Sequence, residues 1–216
     1  MTASPATTIS IPRSLFAISV LYGGMVCVAG VLGNKQVSIG PLAVEAGIFA
    51  FLLLVVMSSA VAELHGEKTA QRLVRLGFVP LLLSMLLALI VWALPASPKM
   101  LPENRDAIQL VLFSNLRIWL AGIIAYGTSQ TLNVMIFARL RGTGGDGGRM
   151  VWLRGAIAAV LSQIVDTLLF VTIAFYGEFP ITDLLLGQML AKVVLSAVLV
   201  PVLVSAFVAW GRKVDR

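Results

Sequence analysis

Long apolar runs are the feature of this sequence that most constrains its fold. Hydrophobic stretches of about 20 residues recur along the chain, separated by short polar segments. A helix that rises ~1.5 Å per residue needs about 20 such residues to cross a hydrocarbon layer ~30 Å thick. Spanning barrel strands would instead show ~10 alternating residues, which the sequence lacks. With 59% hydrophobic and 12% charged residues, the chain is predicted to be an all-α integral membrane protein.

We predict six transmembrane helices in a single polytopic domain, residues 1–216, because no loop is long enough to hold a soluble domain. The predicted spans are Leu15–Leu32, Pro41–Val61, Leu76–Leu94, Ile108–Ala138, Trp152–Tyr176 and Ile181–Trp210. Three spans in each half would give halves of opposite orientation, as in inverted-repeat transporters. The first span lacks a clear small-residue cleavage site, so we expect it to stay uncleaved. The single cysteine, Cys27, excludes an intramolecular disulfide.

The basic residues are unevenly distributed among the loops. Eleven of the 16 Lys and Arg fall in the N-terminal segment, the second and fourth loops and the C-terminal tail, and three fall in the other loops. By the positive-inside rule, both termini are predicted to be cytoplasmic, with the chain in the inner (plasma) membrane. The net charge of +6 then reflects topology, and no nucleic-acid partner is expected.

Three ionisable residues, Arg117, Asp166 and Lys192, lie deep inside the predicted spans. A charge near the bilayer centre costs at least about 2.5 kcal/mol, so such residues usually face a cavity or a partner. Each lies eleven or twelve residues from the outer end of its span, which places all three in one layer near the midplane. Two interpretations stay open: an ion pair that only ties helices together, or a polar cavity that binds a small hydrogen-bonding solute.

Helical periodicity adds neutral polar and aromatic side chains to this layer. One face of the fifth span carries residues at i, i+3, i+4 and i+7, namely Gln163, Asp166, Thr167 and Phe170. One face of the fourth span carries Tyr126, Gln130 and Asn133, with Trp119 nearer its outer end. Amide, carboxylate and aromatic groups are therefore expected to line a shared interior.

Other local signals carry little chemistry. Gly142, Gly144 and Gly147 fit G-x-G-x-x-G, but a dinucleotide site needs a preceding strand, so we predict a flexible hinge. His65 has no second His or Cys at ligand spacing, so no metal site is predicted. Pro80 and Pro201 lie inside apolar spans and are expected to kink them. No catalytic residue, cofactor or nucleotide-hydrolysis motif is identified, so the chain is not expected to be an enzyme.

Several segments resemble one known family in both order and spacing. They are V-A-E-L-H-G-E-K-T-A-Q-R-L (Val61–Leu73), the spaced Arg117, A-Y-G-T-S-Q-T-L-N-V-M-I-F-A-R-L-R (Ala125–Arg141), W-L-R (Trp152–Arg154), S-Q-I-V-D-T-L-L-F-V-T-I-A-F (Ser162–Phe175), and Lys192 followed by Pro201. The family is the queuosine precursor transporter family, also called the vitamin-uptake-transporter-like (VUT) family. The resemblance covers nearly the whole chain.

The resemblance implies uptake of 7-cyano-7-deazaguanine, and of its aminomethyl form as a further candidate substrate, for the queuosine of transfer RNA. Family residues carried to this chain are Asn34, Glu63, Gly66, Arg117, Gln130, Gln163, Asp166 and Lys192. Family members often have Asp at the positions of Ser59 and Asn133, so the resemblance leaves open the substrate or proton roles tied to those carboxylates.

The predicted chemistry of the site fits a guanine-like base. Its ring N–H and exocyclic amine are adjacent donors, and a carboxylate such as Asp166 accepts both. Amides of Gln163, Gln130 and Asn133 suit the carbonyl and ring nitrogens, and an aromatic ring of the layer would stack on the base. Lys192 or Arg117 would keep Asp166 ionised.

Alternative functions stay open beside this one. In one alternative the chain is a substrate-binding membrane subunit that needs a separate energising partner. In the other it is a permease for another small heterocyclic solute. The expected partners are the small molecule and the lipid bilayer. The sequence leaves open whether the chain acts as a monomer or a homo-oligomer, and how transport is energised.

Overall fold

Seven helices and one small sheet make up the part of the chain that the computed structural model describes, residues 11–32, 35–40, 42–112, 116–141, 150–177 and 181–216. In chain order they are α1 (Arg13–Leu32), β1 (Gln36–Ile39), β2 (Leu42–Glu45), α2 (Gly47–His65), α3 (Glu67–Ala93), α4 (Pro102–Leu112), α5 (Leu116–Arg141), α6 (Val151–Phe175) and α7 (Thr182–Val214). All helices except α4 are long and apolar enough to cross a membrane. A helix can do so because it satisfies its own backbone hydrogen bonds, and the predicted all-α membrane class is confirmed.

Helix α2 lies at the centre of the bundle, where it contacts α1, α3, α5, α6 and α7. In its most apolar 18-residue window 78% of the residues are buried, against 6% for α3. Helix α3 instead presents large apolar side chains outwards, among them Leu76, Val79, Leu83 and Leu86. Such a surface suits lipid contact. Polar groups that face α2 are therefore shielded from lipid by the surrounding helices.

Contacts between helix ends fix the directions of the helices. Ser14, at the start of α1, donates its backbone N–H and its hydroxyl to the carboxylate of Asp215, just after α7. The same hydroxyl lies 2.8 Å from Nε2 of His65, at the end of α2. The first and last helices therefore begin and finish at the same end of the bundle. That this end is cytoplasmic, and that the halves are related by an inverted repeat, stay predictions.

The predicted second span, Pro41–Val61, is wrong at its start. Residues of β1 and β2 form an antiparallel hairpin in which Gln36 pairs with Glu45 and Ile39 with Leu42, and α2 begins only at Gly47. The hairpin turns at Gly40, whose φ of 59° is readily adopted by glycine. β-Branched residues on both sides of a G-P dipeptide are a hairpin signal that mean hydropathy does not detect.

The predicted fourth span, Ile108–Ala138, is also wrong at its start. Its first residues belong to α4, a separate helix that begins at Pro102 and ends at Leu112. The first turn of α4 is polar and exposed, with Glu103, Arg105 and Asp106, which does not suit hydrocarbon. The membrane-crossing helix is α5, whose apolar segment runs from Leu120 to Arg141.

Two glycines allow α3 and α5 to approach closely. A Cβ at Gly77 of α3 would overlap the hydroxyl of Tyr126, and a Cβ at Gly127 of α5 would lie 2.7 Å from the ring of Phe78. The rings of Phe78 and Tyr126 pack edge to face at 5.0 Å between centroids. This contact fixes the rotation of α5, and hence the direction in which its other polar residues point.

Candidate functional site

Asp166, in the middle of α6, holds the centre of a buried polar cluster. Its side chain is 3% exposed. One carboxylate oxygen accepts a 2.8 Å hydrogen bond from Lys192 Nζ of α7, and the other accepts a 2.8 Å hydrogen bond from the Ser129 hydroxyl of α5. Because both bonds go to an ionised acceptor, they are of the strong, charge-assisted kind. The carboxylate therefore joins three helices at one point.

Helix α7 contributes a stripe of polar side chains at intervals of four residues. Gln188 is 3% exposed, Lys192 8% and Ser196 0%. Lys192 Nζ also lies 5.9 Å from the centroid of the Phe51 ring of α2, which is cation–π distance. Gln188 Oε1 and Ser196 Oγ have no hydrogen-bond partner among the described residues. The stripe thus brings one cation and two unused polar atoms to the interior.

The predicted polar face of α6 is only partly free for a ligand. Gln163 is fully buried, and neither its amide nitrogen nor its amide oxygen bonds any part of the chain that the structure describes. The hydroxyl of Thr167 donates to the Gln163 carbonyl oxygen at 2.9 Å, within the same helix. Phe170 is half-buried and packs against the ring of Phe175, with centroids 6.1 Å apart. Gln163 is therefore the group on this face that most needs a partner.

Gln130 and Asn133 of α5 face α2. Gln130 Oε1 accepts a 3.3 Å hydrogen bond from the Ser58 hydroxyl, and Asn133 Nδ2 donates to the hydroxyls of Ser58 and Ser59 at 3.1 and 3.0 Å. Gln130 Nε2 and Asn133 Oδ1 find no acceptor or donor within the described ranges. Ser59 and Asn133 thus form a neutral hydrogen-bonded pair.

Tyr126 of α5 contacts α1 and α3 and not Asp166. Its hydroxyl donates to the Val74 carbonyl oxygen in α3 at 3.2 Å and lies 3.1 Å from the hydroxyl of Tyr22 in α1, which is placed to donate to it. With its ring against Phe78, Tyr126 ties α1, α3 and α5 together. The structure does not bring it to the carboxylate, although helical spacing predicted a shared face.

Glu63 lies in a different cluster, at the end of α2. Its side chain is 2% exposed and lies 3.1 Å from Arg154, 3.2 Å from Arg212 and 3.8 Å from Arg141. Arg154 and Asp166 are twelve residues apart on α6, which is ~18 Å at the helical rise. The resemblance carried Glu63 to this chain together with Asp166 as a candidate substrate-binding residue, but three arginines hold its carboxylate at the end of the bundle, away from the Asp166 cluster. That end also contains His65 and Asp215. The hydrogen bond from the Ser14 hydroxyl is the main cause that lowers the pKa of Asp215.

A second carboxylate near α7, that of Glu45, was not predicted. It is the last residue of β2, and the hairpin packs against α7. Burial raises the pKa of the Glu45 carboxyl, and the charge of Lys192 offsets part of this effect. Sequence reasoning treated this position as the edge of a membrane span. The alternating pattern L-A-V-E after the G-P turn was the signal that could have identified it.

Some predicted residues fall outside the described side chains. Asn34 and the glycine-rich segment 142–149 lie outside the described residues, and α5 includes Arg117 and Trp119 without a description of their side chains. Among the described residues, no group of three His, Cys, Asp or Glu is placed to hold a metal ion. The geometry supports hydrogen bonding to a polar solute through one ionised carboxylate, one ammonium and several amides.

Comparison with known proteins adds an independent finding. No curated protein and no solved structure matches the chain. Residues 45–206, about three quarters of the sequence, match the family described as "Putative vitamin uptake transporter". The matched range includes Asp166, Lys192, Gln163 and Gln130, and it spans five of the six membrane-crossing helices completely or nearly so. The chain belongs to this family of membrane transporters.

Proposed function

We propose that the chain takes up 7-cyano-7-deazaguanine across the inner membrane by binding it at the Asp166 cluster. The observation that carries this proposal is a buried ionised carboxylate with spare acceptor capacity beside amide atoms that lack partners among the described residues. A planar base with donors and acceptors along its edge complements such a set. The aminomethyl form of the base is a second candidate substrate.

The carboxylate retains the capacity for a bidentate contact. An ionised carboxylate offers about four lone-pair positions, and the bonds from Lys192 and Ser129 use one on each oxygen. One acceptor position therefore remains on each oxygen. The ring N–H and exocyclic amine of a guanine-like base would fill both of them together, in the geometry that favours paired donors.

The unpartnered amides account for the rest of the base. Among the described residues, Gln163 has a donor and an acceptor without partners and Gln130 has a donor without one, which suit the carbonyl oxygen and ring nitrogens. A buried polar atom left without a partner costs about 1–3 kcal/mol, so a ligand that bonds these atoms gains that energy. The ring of Phe51, whose centroid lies 5.9 Å from Lys192 Nζ, would stack on the base, and stacking by Trp119 or Phe170 stays a prediction.

Uptake of the labelled base by cells that express Asp166→Asn tests the proposal. The amide replaces one acceptor by a donor, so a charged hydrogen bond of about 1.5–3 kcal/mol is lost. We expect the half-saturating concentration to rise roughly 10- to 150-fold. Glu103→Gln removes a carboxylate on the exposed first turn of α4 and serves as the matched control. Unchanged uptake by Asp166→Asn at equal protein level would refute the assignment of this residue.

Two further measurements separate the alternative functions. The purified chain alone in liposomes should move the base, whereas a subunit that needs an energising partner would bind it without transport. Competition by guanine, adenine and pyrimidines tests the substrate, because the bidentate contact needs adjacent donors that adenine lacks. Equal competition by adenine would favour a permease for another heterocycle.

A further inference from the structure

Three guanidinium groups surround one carboxylate at the end of the bundle where α2 finishes. Glu63 of α2 supplies the carboxylate. Arg154 of α6 lies 3.1 Å from it, Arg212 of α7 lies 3.2 Å from it, and Arg141 of α5 lies 3.8 Å from it. A carboxylate balances the charge of one guanidinium group. These four described residues, which we call the Glu63 cluster, therefore carry more positive than negative charge.

The arginines of the Glu63 cluster differ in burial. The Arg154 side chain is 4% exposed, donates to Glu63 Oε2 at 3.1 Å and lies 5.4 Å from the centroid of the Phe137 ring. Arg154 and Glu63 thus form a buried ion pair. The side chains of Arg141 and Arg212 are 39% and 48% exposed. The excess positive charge is therefore located at the surface of the bundle.

Arg141 and Arg212 keep donors for an acceptor outside the bundle. Arg212 Nη2 donates to Glu63 Oε1 at 3.2 Å. Arg141 Nη1 donates to the backbone carbonyl oxygens of Ala62 and Glu63 at 3.4 and 3.0 Å. These hydrogen bonds to described residues occupy one nitrogen of each side chain, whereas a guanidinium group has five N–H donors in a planar fork. The outward part of each fork suits the oxygens of a phosphate group.

Exposed tryptophans place these arginines at the level of the lipid headgroups. Trp152, the second residue of α6, is 53% exposed, and Trp210, two residues before Arg212 on α7, is 40% exposed. Tryptophan is enriched at the boundary between membrane and water. Nearer the middle of α7, the apolar side chains of Val198 and Val202 are exposed. A lipid whose acyl chains contact this surface of α7 would hold its headgroup beside Arg212.

We propose that the Glu63 cluster binds an anionic phospholipid, whose phosphate oxygens accept hydrogen bonds from Arg141 and Arg212. The positive-inside rule predicts that this end of the bundle is cytoplasmic. Anionic lipids give the cytoplasmic leaflet its negative surface potential, and basic sites between transmembrane helices bind their headgroups. The bound headgroup reduces the excess charge of the cluster. Arg154 lies twelve residues from Asp166 on α6, ~18 Å at the helical rise, so this lipid site is separate from the Asp166 cluster.

Lipid binding to the purified full chain, measured by native mass spectrometry in a neutral detergent, tests this site. Phosphatidylglycerol is the anionic probe, and phosphatidylcholine with the same acyl chains is the zwitterionic comparison. A basic residue near a membrane surface contributes about fivefold to the binding of anionic lipid, and a bidentate contact adds to this. We expect Arg212→Gln to weaken phosphatidylglycerol binding roughly 5- to 20-fold and to leave phosphatidylcholine binding unchanged. Arg212→Lys keeps the charge without the fork and should give an intermediate loss.

Lys213→Gln is the matched control, because Lys213 is the next residue of α7, is exposed and loses the same charge. It should bind phosphatidylglycerol as the wild type does. Equal losses in Lys213→Gln and Arg212→Gln would mean general attraction to a basic surface and would overturn the site. Equal binding of both lipids by the wild type would also overturn it.

A competition measurement separates a lipid headgroup from a soluble anion. Inorganic phosphate at the same concentration should not displace phosphatidylglycerol, because it lacks acyl chains to contact α7. Displacement would assign the guanidinium forks to a soluble anion and overturn the lipid assignment. Arg212→Gln is expected to fold, since Glu63 keeps its buried pair with Arg154. If it does not, Arg141→Gln replaces it with the same expected loss, and unchanged phosphatidylglycerol binding would contradict the proposal.

Discussion

Removal of Lys192 should destabilise the bundle strongly. Lys192→Met keeps a long, flexible side chain but deletes the ammonium group that donates to Asp166. The Asp166 side chain is 3% and that of Lys192 10% exposed, so solvent cannot replace the lost partner. Breaking a buried ion pair by removing one member costs about 3–5 kcal/mol. For a chain of this size that corresponds to a fall in Tm of roughly 6–20 °C.

Thermal unfolding of the purified chain in one detergent, combined with a double-mutant cycle, measures this effect. Asp166→Asn with Lys192→Met removes both charges, so the double variant should be less destabilised than the sum of the single variants by at least about 1 kcal/mol. Lys99→Met, at an exposed position in the loop before α4, is the matched control and should leave Tm unchanged. A loss below about 1 kcal/mol in Lys192→Met, or strictly additive single effects, would refute the reasoning that the pair is buried and coupled.

Three more predictions concern the frame around the site. Glu63→Gln leaves three guanidinium groups without their shared carboxylate and should cost about 3 kcal/mol in thermal unfolding; a loss under about 1 kcal/mol would contradict it. Gly77→Ala should cost about 1–3 kcal/mol through overlap with the Tyr126 hydroxyl, and adding Tyr126→Phe should recover part of it. The Ser14 hydrogen bonds lower the pKa of Asp215 in the folded chain. The ionised Asp215 therefore stabilises the folded state above the unfolded pKa of about 3.9, and this stabilisation is lost as pH falls through the folded pKa. Stability measured from pH 6 to pH 3 should fall less steeply in Asp215→Asn, and parallel curves would exclude this role.

The membrane-crossing helices could be predicted from run length, because hydrocarbon leaves a chain few ways to satisfy its backbone. The two wrong helix starts occur where hydropathy averaged over a stretch of sequence includes residues of two neighbouring elements. Residues of the hairpin around Gly40 are as apolar as a helix start, and Ile108 follows the polar turn of α4 within a few residues. Turn chemistry and charge placement mark both boundaries, whereas average hydropathy does not.

Depth along a helix could be predicted better than the direction in which a side chain points. Counting residues from the span ends placed Asp166 and Lys192 in one layer, and their side chains are 2.8 Å apart. Spacing also placed Tyr126 and Gln130 on one face of α5, yet Tyr126 bonds towards α1 and α3 while Gln130 bonds towards α2. A helix face about 100° wide contacts two neighbouring helices. The packing around Gly77 determines which of these neighbours the Tyr126 side chain contacts.

The unpartnered atoms support our proposal that this cluster serves a carrier and is more than a scaffold. Among the described residues, six buried atoms of Gln130, Asn133, Gln163, Gln188 and Ser196 lack a hydrogen-bond partner. At about 1–3 kcal/mol each, their total is on the order of the whole stability of a typical domain, about 5–15 kcal/mol. An interior built only to hold helices together would be more stable with apolar residues at these positions. These atoms therefore suit polar occupants, and under the proposed function water and a hydrogen-bonding solute alternate at them.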